Sequence, residues 1–280
     1  MIFKKIAITI TLIFTITFAI TSCHKKNTEF DYNLAIETVH DYVEAQQMTN
    51  LLLLTYFKAI TDSTLMADSI SIIDGAAVTL ISDPSTMVFE YYNGAVNDGY
   101  GHTRSGRYTA STSSNFTTAN AKVIFDFIKF TYDGDLITSN GFELTNGDLS
   151  VGFTFDVVAS NINRDYGDTT GTIKYNIQET ITITKDPSSP YHTSNDYFEV
   201  SGNNSGTARN DKIYSAQTED GDKLVQRYSC NWMDVGSSIV ELPEFIHNAS
   251  VSFFNDGQCM NKYSITTNGT LFEKGYDVDY

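Results

Sequence analysis

From about residue 86 onward the chain alternates apolar and polar positions with a period of two. The clearest stretch is 172–184. Ile173, Tyr175, Ile177, Ile181 and Ile183 fall on one face, and Lys174, Asn176, Gln178, Thr180 and Thr182 on the other. Val151, Phe153, Phe155, Val157 and Ala159 repeat the pattern against Gly152, Thr154 and Asp156. Successive side chains of a strand point to opposite faces, so this alternation predicts strands with one buried and one wet face, as antiparallel sheets have. Asp133-Gly134, Asn146-Gly147, Asp220-Gly221, Asp256-Gly257 and Asn268-Gly269 punctuate the strands, and such dipeptides favour the tight turns whose twist matches a hairpin. No helical stretch interrupts them, which argues against parallel crossover units. The stretch 122–132 is apolar on both faces and predicts a strand whose second face is covered by the N-terminal helices.

The preceding part has a different period. Residues 31–66 contain no Gly or Pro, and Ile36, Val39, Val43 and the leucine run 51–54 recur near helical spacing. This predicts one or two amphipathic helices, broken near Thr49-Asn50, that pack on the β body. The expected fold is mainly β (α+β): an antiparallel, hairpin-connected sheet, sandwich or open barrel of about ten or more strands, with N-terminal helices packed on it. The domain plan is an export signal over 1–22, a tether over 23–30, a helical segment over 31–80 and a β domain over 86–280. One variant of this plan has an apolar ligand held between the helices and a curved sheet.

Composition agrees with the strands and narrows the function. Aromatics make up 13 % of residues and there are four prolines, with Thr, Ser, Asn and Gly abundant, a composition that suits pleated sheet. Lys and Arg number 18 against 34 Asp and Glu, a net charge of −16. Such a chain repels nucleic acid and anionic lipid surfaces, so DNA or RNA binding is not expected.

The front of the chain reads MIFKKIAITITLIFTITFAITSC. Lys4 and Lys5 are followed by an uncharged apolar stretch over 6–20, shorter than the ~20 residues that a spanning helix needs. A basic start, a short apolar run and small residues at its end describe an export signal. Ile20-Thr21-Ser22-Cys23 resembles the lipobox of bacterial lipoproteins. The resemblance implies that Cys23 is acylated, that the signal is cut before it, and that the new amino terminus is acylated in turn. Each buried acyl CH₂ contributes ~0.8 kcal/mol and one chain holds only marginally, so several chains on Cys23 make a durable anchor. Residue 24 is His rather than Asp, which by the same resemblance points to the outer membrane. Losing 1–22 removes Lys4 and Lys5 and no acid, leaving 16 basic against 34 acidic residues, net −18.

Export also frames the two other cysteines, Cys230 and Cys259. Thiols in an oxidising compartment usually pair, and a bond between these two closes a loop worth about 3–4 kcal/mol on the chain-entropy argument. A zinc site needs further ligands, and His24, His40, His102, His192 and His247 are scattered. A catalytic thiol needs a basic neighbour, and none is local. No metal or cofactor is expected. The run Tyr228-Ser229-Cys230-Asn231-Trp232, Gly236, Asp256-Gly257-Gln258-Cys259 and Asn268-Gly269 is similar to the C-terminal half of uncharacterised secreted lipoproteins of Bacteroidota, over about residues 103–272. That resemblance implies a β-rich fold and an envelope location, and brings no activity with it.

Candidate chemistry is thin. Asp133/Asp135, Asp165/Asp168 and Glu219/Asp220/Asp222 cluster in turns. Paired carboxylates can serve glycoside hydrolysis or hold calcium, yet Asp and Gly in turns ordinarily serve backbone geometry. Ser105 in GHTRSG lacks the spacing of a nucleophile elbow, and His40 lacks the second His of a zinc-protease helix. Arg104 and Arg107 are expected as surface residues paired with nearby acids. Tyr91-Tyr92 and Tyr197-Phe198, each flanked by polar residues, either stack on sugars or peptides or fill the core. The expectation is a non-catalytic, lipid-anchored envelope protein that binds a protein or glycan ligand or serves structurally. The alternative is a hydrolase working through turn carboxylates.

Overall fold

The computed structural model describes residues 31–82, 85–116, 118–147, 153–167, 171–184, 196–253 and 258–276. The export signal, Cys23 and the tether lie outside these residues. The chain opens with α1 (Tyr32–Ala59) and α2 (Ser63–Asp68). Strands follow: β1 (Ile70–Ile73), β2 (Ala76–Ser82), β3 (Ser85–Asn97), β4 (Thr103–Thr112), β5 (Lys122–Tyr132), β6 (Asp135–Thr138), β7 (Gly141–Asn146), β8 (Phe153–Asp165) and β9 (Thr172–Thr184). The second half holds β10 (Tyr197–Thr207), β11 (Ile213–Thr218), β12 (Leu224–Arg227), β13 (Met233–Val235), β14 (Ser237–Glu241), β15 (Ala249–Ser252), β16 (Tyr263–Thr267) and β17 (Thr270–Lys274).

These seventeen strands form one sheet among the described residues, and every pairing in it is antiparallel. β1 to β5 pair in sequence. β5 then divides: one end pairs with β7 and the other with β6, and both of these pair with β8. β8, β9 and β10 continue the ladder. β10 divides in turn, pairing with β11 along 202–207 and with β12 along 197–200. From β11 the ladder runs through β14, β15 and β16 to β17, while β12 carries β13.

Turn chemistry sets the hairpins. In Asp74-Gly75, Asp133-Gly134 and Asn268-Gly269 both residues have positive φ, the backbone of the hairpin turn whose twist matches the flanking strands. Bulges set the curvature. The β4/β5 register shifts between Ser105 and Arg107, where Lys129 has φ 53°. Gly106 faces this bulge, and a Cβ there would lie 2.0 Å from the Lys129 carbonyl oxygen. The β8/β9 register shifts between Ala159 and Ile162, where Asn161 has φ 48°. Each bulge bends its strand and resets which residues face inward. Phe125 and Phe130, five positions apart, are therefore both buried.

The sheet's inner face is filled by α1. Of its 28 residues 22 are buried, and they include every position from Ala45 to Thr55. A helix covered on all sides is a core element rather than a surface one. Its partners come from most of the sheet. Tyr56 meets Phe125 of β5, Phe57 meets Phe155 of β8 and Phe198 of β10, Tyr42 meets Tyr214 of β11, and Tyr32 meets Phe272 of β17. No helix among the described residues is long and apolar enough to cross a membrane.

The mainly β, antiparallel architecture with an N-terminal helix matches the expectation from alternation. Four details differ. The helical segment ends at Asp68 rather than 80, because Asp74-Gly75 folds 70–82 into the β1–β2 hairpin and starts the sheet ahead of residue 86. Helix α1 runs without a break through Thr49-Asn50, since both residues are buried and held: Thr49 Oγ1 donates to the Ala45 carbonyl and Asn50 Oδ1 accepts from Gln46. The helix is enclosed instead of lying on the outside. The outer face of β5 is not covered either, and Ile124 (49 %) and Ile128 (38 %) are exposed there.

Candidate functional site

An interior helix with polar residues on every face is stable only if each polar group finds a partner there. Strands supply most of them. Arg209 Nε and Nη2 and its own backbone N–H all donate to Asp41. Gln46 Nε2 donates to Glu179 Oε2 at 3.2 Å, and its Oε1 accepts from Asn204. Gln47 bonds the Asn231 carbonyl and the Met233 amide, and Thr49 bonds the Tyr175 hydroxyl. Aromatic rings and these bonds lie along the helix–sheet interface, where the variant with an apolar ligand would seat it.

Two charged groups in this core are notable. Arg104, expected at the surface, is fully buried: its Nη2 lies 2.7 Å from Asp98 Oδ2, and both side chains are 0 % exposed. Its Nη1 donates to Thr55 of α1 and to the Tyr91 hydroxyl. Glu44 lies 3.3 Å from His40 and 3.6 Å from Arg164, and it accepts from Tyr166. Burial alone would raise its pKa, but the contact with His40 and the charge of Arg164 outweigh this and hold it at about 2. Arg164 and Arg209 sit over the Tyr166 ring at 4.6 and 4.4 Å to its centroid. These groups satisfy one another, which is the chemistry of a structural network.

Most of the turn carboxylates are similarly committed, whereas Glu219 is exposed at the turn after β11. Asp133 bonds His102 and the Thr103 amide, and Asp135 pairs with Arg164 at 2.8 Å. Asp165 accepts from the Gly167 amide, and Asp168 lies outside the described residues. Asp220 accepts from Ser201 Oγ at 2.8 Å and Asp222 from Ser237. Ser105 bonds Thr131 across β4 and β5. Tyr91 and Phe198 are buried while Tyr92 is 55 % exposed, so neither aromatic pair forms a joint platform. Among the described residues no group of His, Cys, Asp and Glu could hold a metal ion. Cys230 and Cys259 are joined in a disulfide with Cα atoms 5.3 Å apart.

Open space lies elsewhere, over β8 to β11, in a cleft of ≈ 690 Å³. Gly202 supplies its floor. Its missing side chain admits the Gln178 carbonyl and Glu179 Cα to 2.4 and 2.7 Å of where a Cβ would stand. The Ser201–Asp220 bond draws the turn after β11 over this floor. Asp156 and Val158 form the opposite wall, with Asp156 accepting from Thr180 Oγ1 at 2.9 Å. Sheet register lines up three amides between the walls: Gln178 pairs with Asn203, and Asn203 with Gln217. All three side chains are exposed and hydrogen-bond to nothing among the described residues.

Glu179, next to Gln178, belongs to the other face. It is 6 % exposed and turned toward Gln46 of α1. Burial raises its pKa to about 8, against the smaller opposing effect of the Gln46 bond. Sequence alone did not single out Glu179 or the amide row. The signal for Glu179 was present, for it occupies the gap at the inward position between Ile177 and Ile181. The amide row depends on pairings between strands and has no local signature. Comparison of the chain with protein families, curated proteins and solved structures finds no match.

Proposed function

We propose that this chain is a cell-envelope protein anchored by lipid on Cys23 in the outer membrane, whose folded body binds a polar ligand on its outer face without transforming it. The observation that carries the binding part is the cleft over β8 to β11, where three exposed amides stand in register with no partner among the described residues. Five of the turn carboxylates that a hydrolase would use, Asp133, Asp135, Asp165, Asp220 and Asp222, are bonded to an imidazole, hydroxyls, a guanidinium group and backbone amides. The anchor rests on the residues that resemble a lipobox and on the apolar stretch before them.

The experiment is fatty-acid labelling in a cell that processes lipoproteins. Labelled palmitate is expected to enter the wild-type chain, which should then sediment with the envelope membranes. Cys23→Ala should abolish the label and release most of the protein from the pellet. Equal labelling of both proteins, or of neither, would overturn the anchor.

A further inference from the structure

We infer that the cleft takes a neutral, hydroxyl-rich chain, a glycan lying across the strands along the Gln178–Asn203–Gln217 row. This rests on the binding reading above and specifies its ligand. The three residues stand opposite one another on β9, β10 and β11, so their amides repeat at about 4.8 Å and span roughly 10 Å perpendicular to the strands. The same row continues to Val158 on β8 and Ile239 on β14, which are 52 % and 50 % exposed. It therefore has a polar centre and an apolar residue at each end.

The chemistry of the centre selects the ligand. Each amide offers two N–H donors and a carbonyl acceptor, and a hydroxyl group both donates and accepts. A sugar can engage the whole row, with its C–H faces resting on Val158 or Ile239. An ammonium ion donates only, and would leave the amide N–H groups unmatched. Of the carboxylates that line the cleft, Asp156 is engaged by Thr180, Asp220 by Ser201 and Glu179 by Gln46, while Glu219 is exposed. No Lys or Arg lines the cleft among the described residues, so an anionic ligand finds no counter-charge and meets the carboxylates instead. No aromatic ring lines it either, so recognition proceeds by hydrogen bonds to hydroxyls rather than by stacking.

The test is native affinity electrophoresis of the full-length, detergent-solubilised protein in gels containing laminarin, galactomannan or glycogen as neutral probes. Polygalacturonate and poly-lysine serve as the anionic and cationic probes. At least one neutral polymer should retard the wild type, and Q178A/N203A/Q217A should weaken that retardation about tenfold or more. All three positions are exposed, and an unchanged melting temperature of the triple variant confirms its fold. Lys122→Ala, at an exposed ion pair on β5, should bind as the wild type does. Absence of retardation by every neutral polymer, or equal retardation of the triple variant, overturns the inference. Retardation by poly-lysine alone that the triple variant loses also overturns the glycan assignment, while leaving the cleft as a binding site.

Discussion

Arg104→Met is expected to destabilise the protein by about 3–5 kcal/mol, read as a lower urea midpoint. The guanidinium is fully buried against Asp98 and joins β4 to Thr55 of α1 and Tyr91 of β3. Removing it leaves the Asp98 carboxylate without its counter-charge in a site that water does not reach. Asp98 Oδ1 still accepts from the amides of Tyr100 and His102, which soften the loss without replacing a charge. Adding Asp98→Asn should recover part of the stability, because it removes the stranded charge. A single variant as stable as the wild type, or a double variant whose loss equals the sum of the two single losses, would show that the pair is not coupled.

Glu179→Gln is expected to act in the opposite direction. The folded-state pKa is raised from 4.5 to about 8, so the folded protein keeps this proton where the unfolded chain has lost it. A group of this kind contributes stability that is fully present below the unfolded value and is lost as pH rises through the folded one. The wild type therefore gives up about 3 kcal/mol from this residue between acid and pH 7, and more as pH approaches 8. Glutamine is isosteric with the neutral acid and does not ionise. Denaturation curves of the two proteins should nearly coincide near pH 4, and the variant should be the more stable by about 3 kcal/mol near pH 7. Curves that stay parallel across this range would place the Glu179 proton elsewhere. Glu44, held at about 2, contributes the reverse dependence at acid pH in both proteins, and cancels in the comparison.

The outline of the fold was legible because alternation reports burial directly. Ile173, Tyr175, Ile177, Ile181 and Ile183 are all buried as their period required. The reading failed where a residue answers to something far off in sequence. Helix α1 looked amphipathic because His40, Asp41, Gln46 and Gln47 count as polar, yet each is buried beside a partner from a strand or turn more than a hundred residues later. The local pattern of the helix does not contain those partners. Arg104 looked like a surface residue for the same reason, its acceptors being a loop aspartate and the helix. The Lys129 and Asn161 bulges shift the inward phase of β5 and β8 without a glycine in the bulging strand at that position. The cleft was less legible still, because Gln178, Asn203 and Gln217 become a row only through pairing. The cysteines were the opposite case, since a compartment argument alone suggested a pairing that the structure contains.

The central claim is that the sheet folds around α1, so that the interior is filled by protein and ligand chemistry is left to the outer face. Native-state hydrogen exchange read by mass spectrometry tests it most directly. Amides along 36–57 should belong to the slowest-exchanging class, opening only with global unfolding, as do the central strands β8 to β10. A helix that exchanges well ahead of those strands would contradict the claim, for it would be a cover that lifts rather than the centre around which the sheet is built.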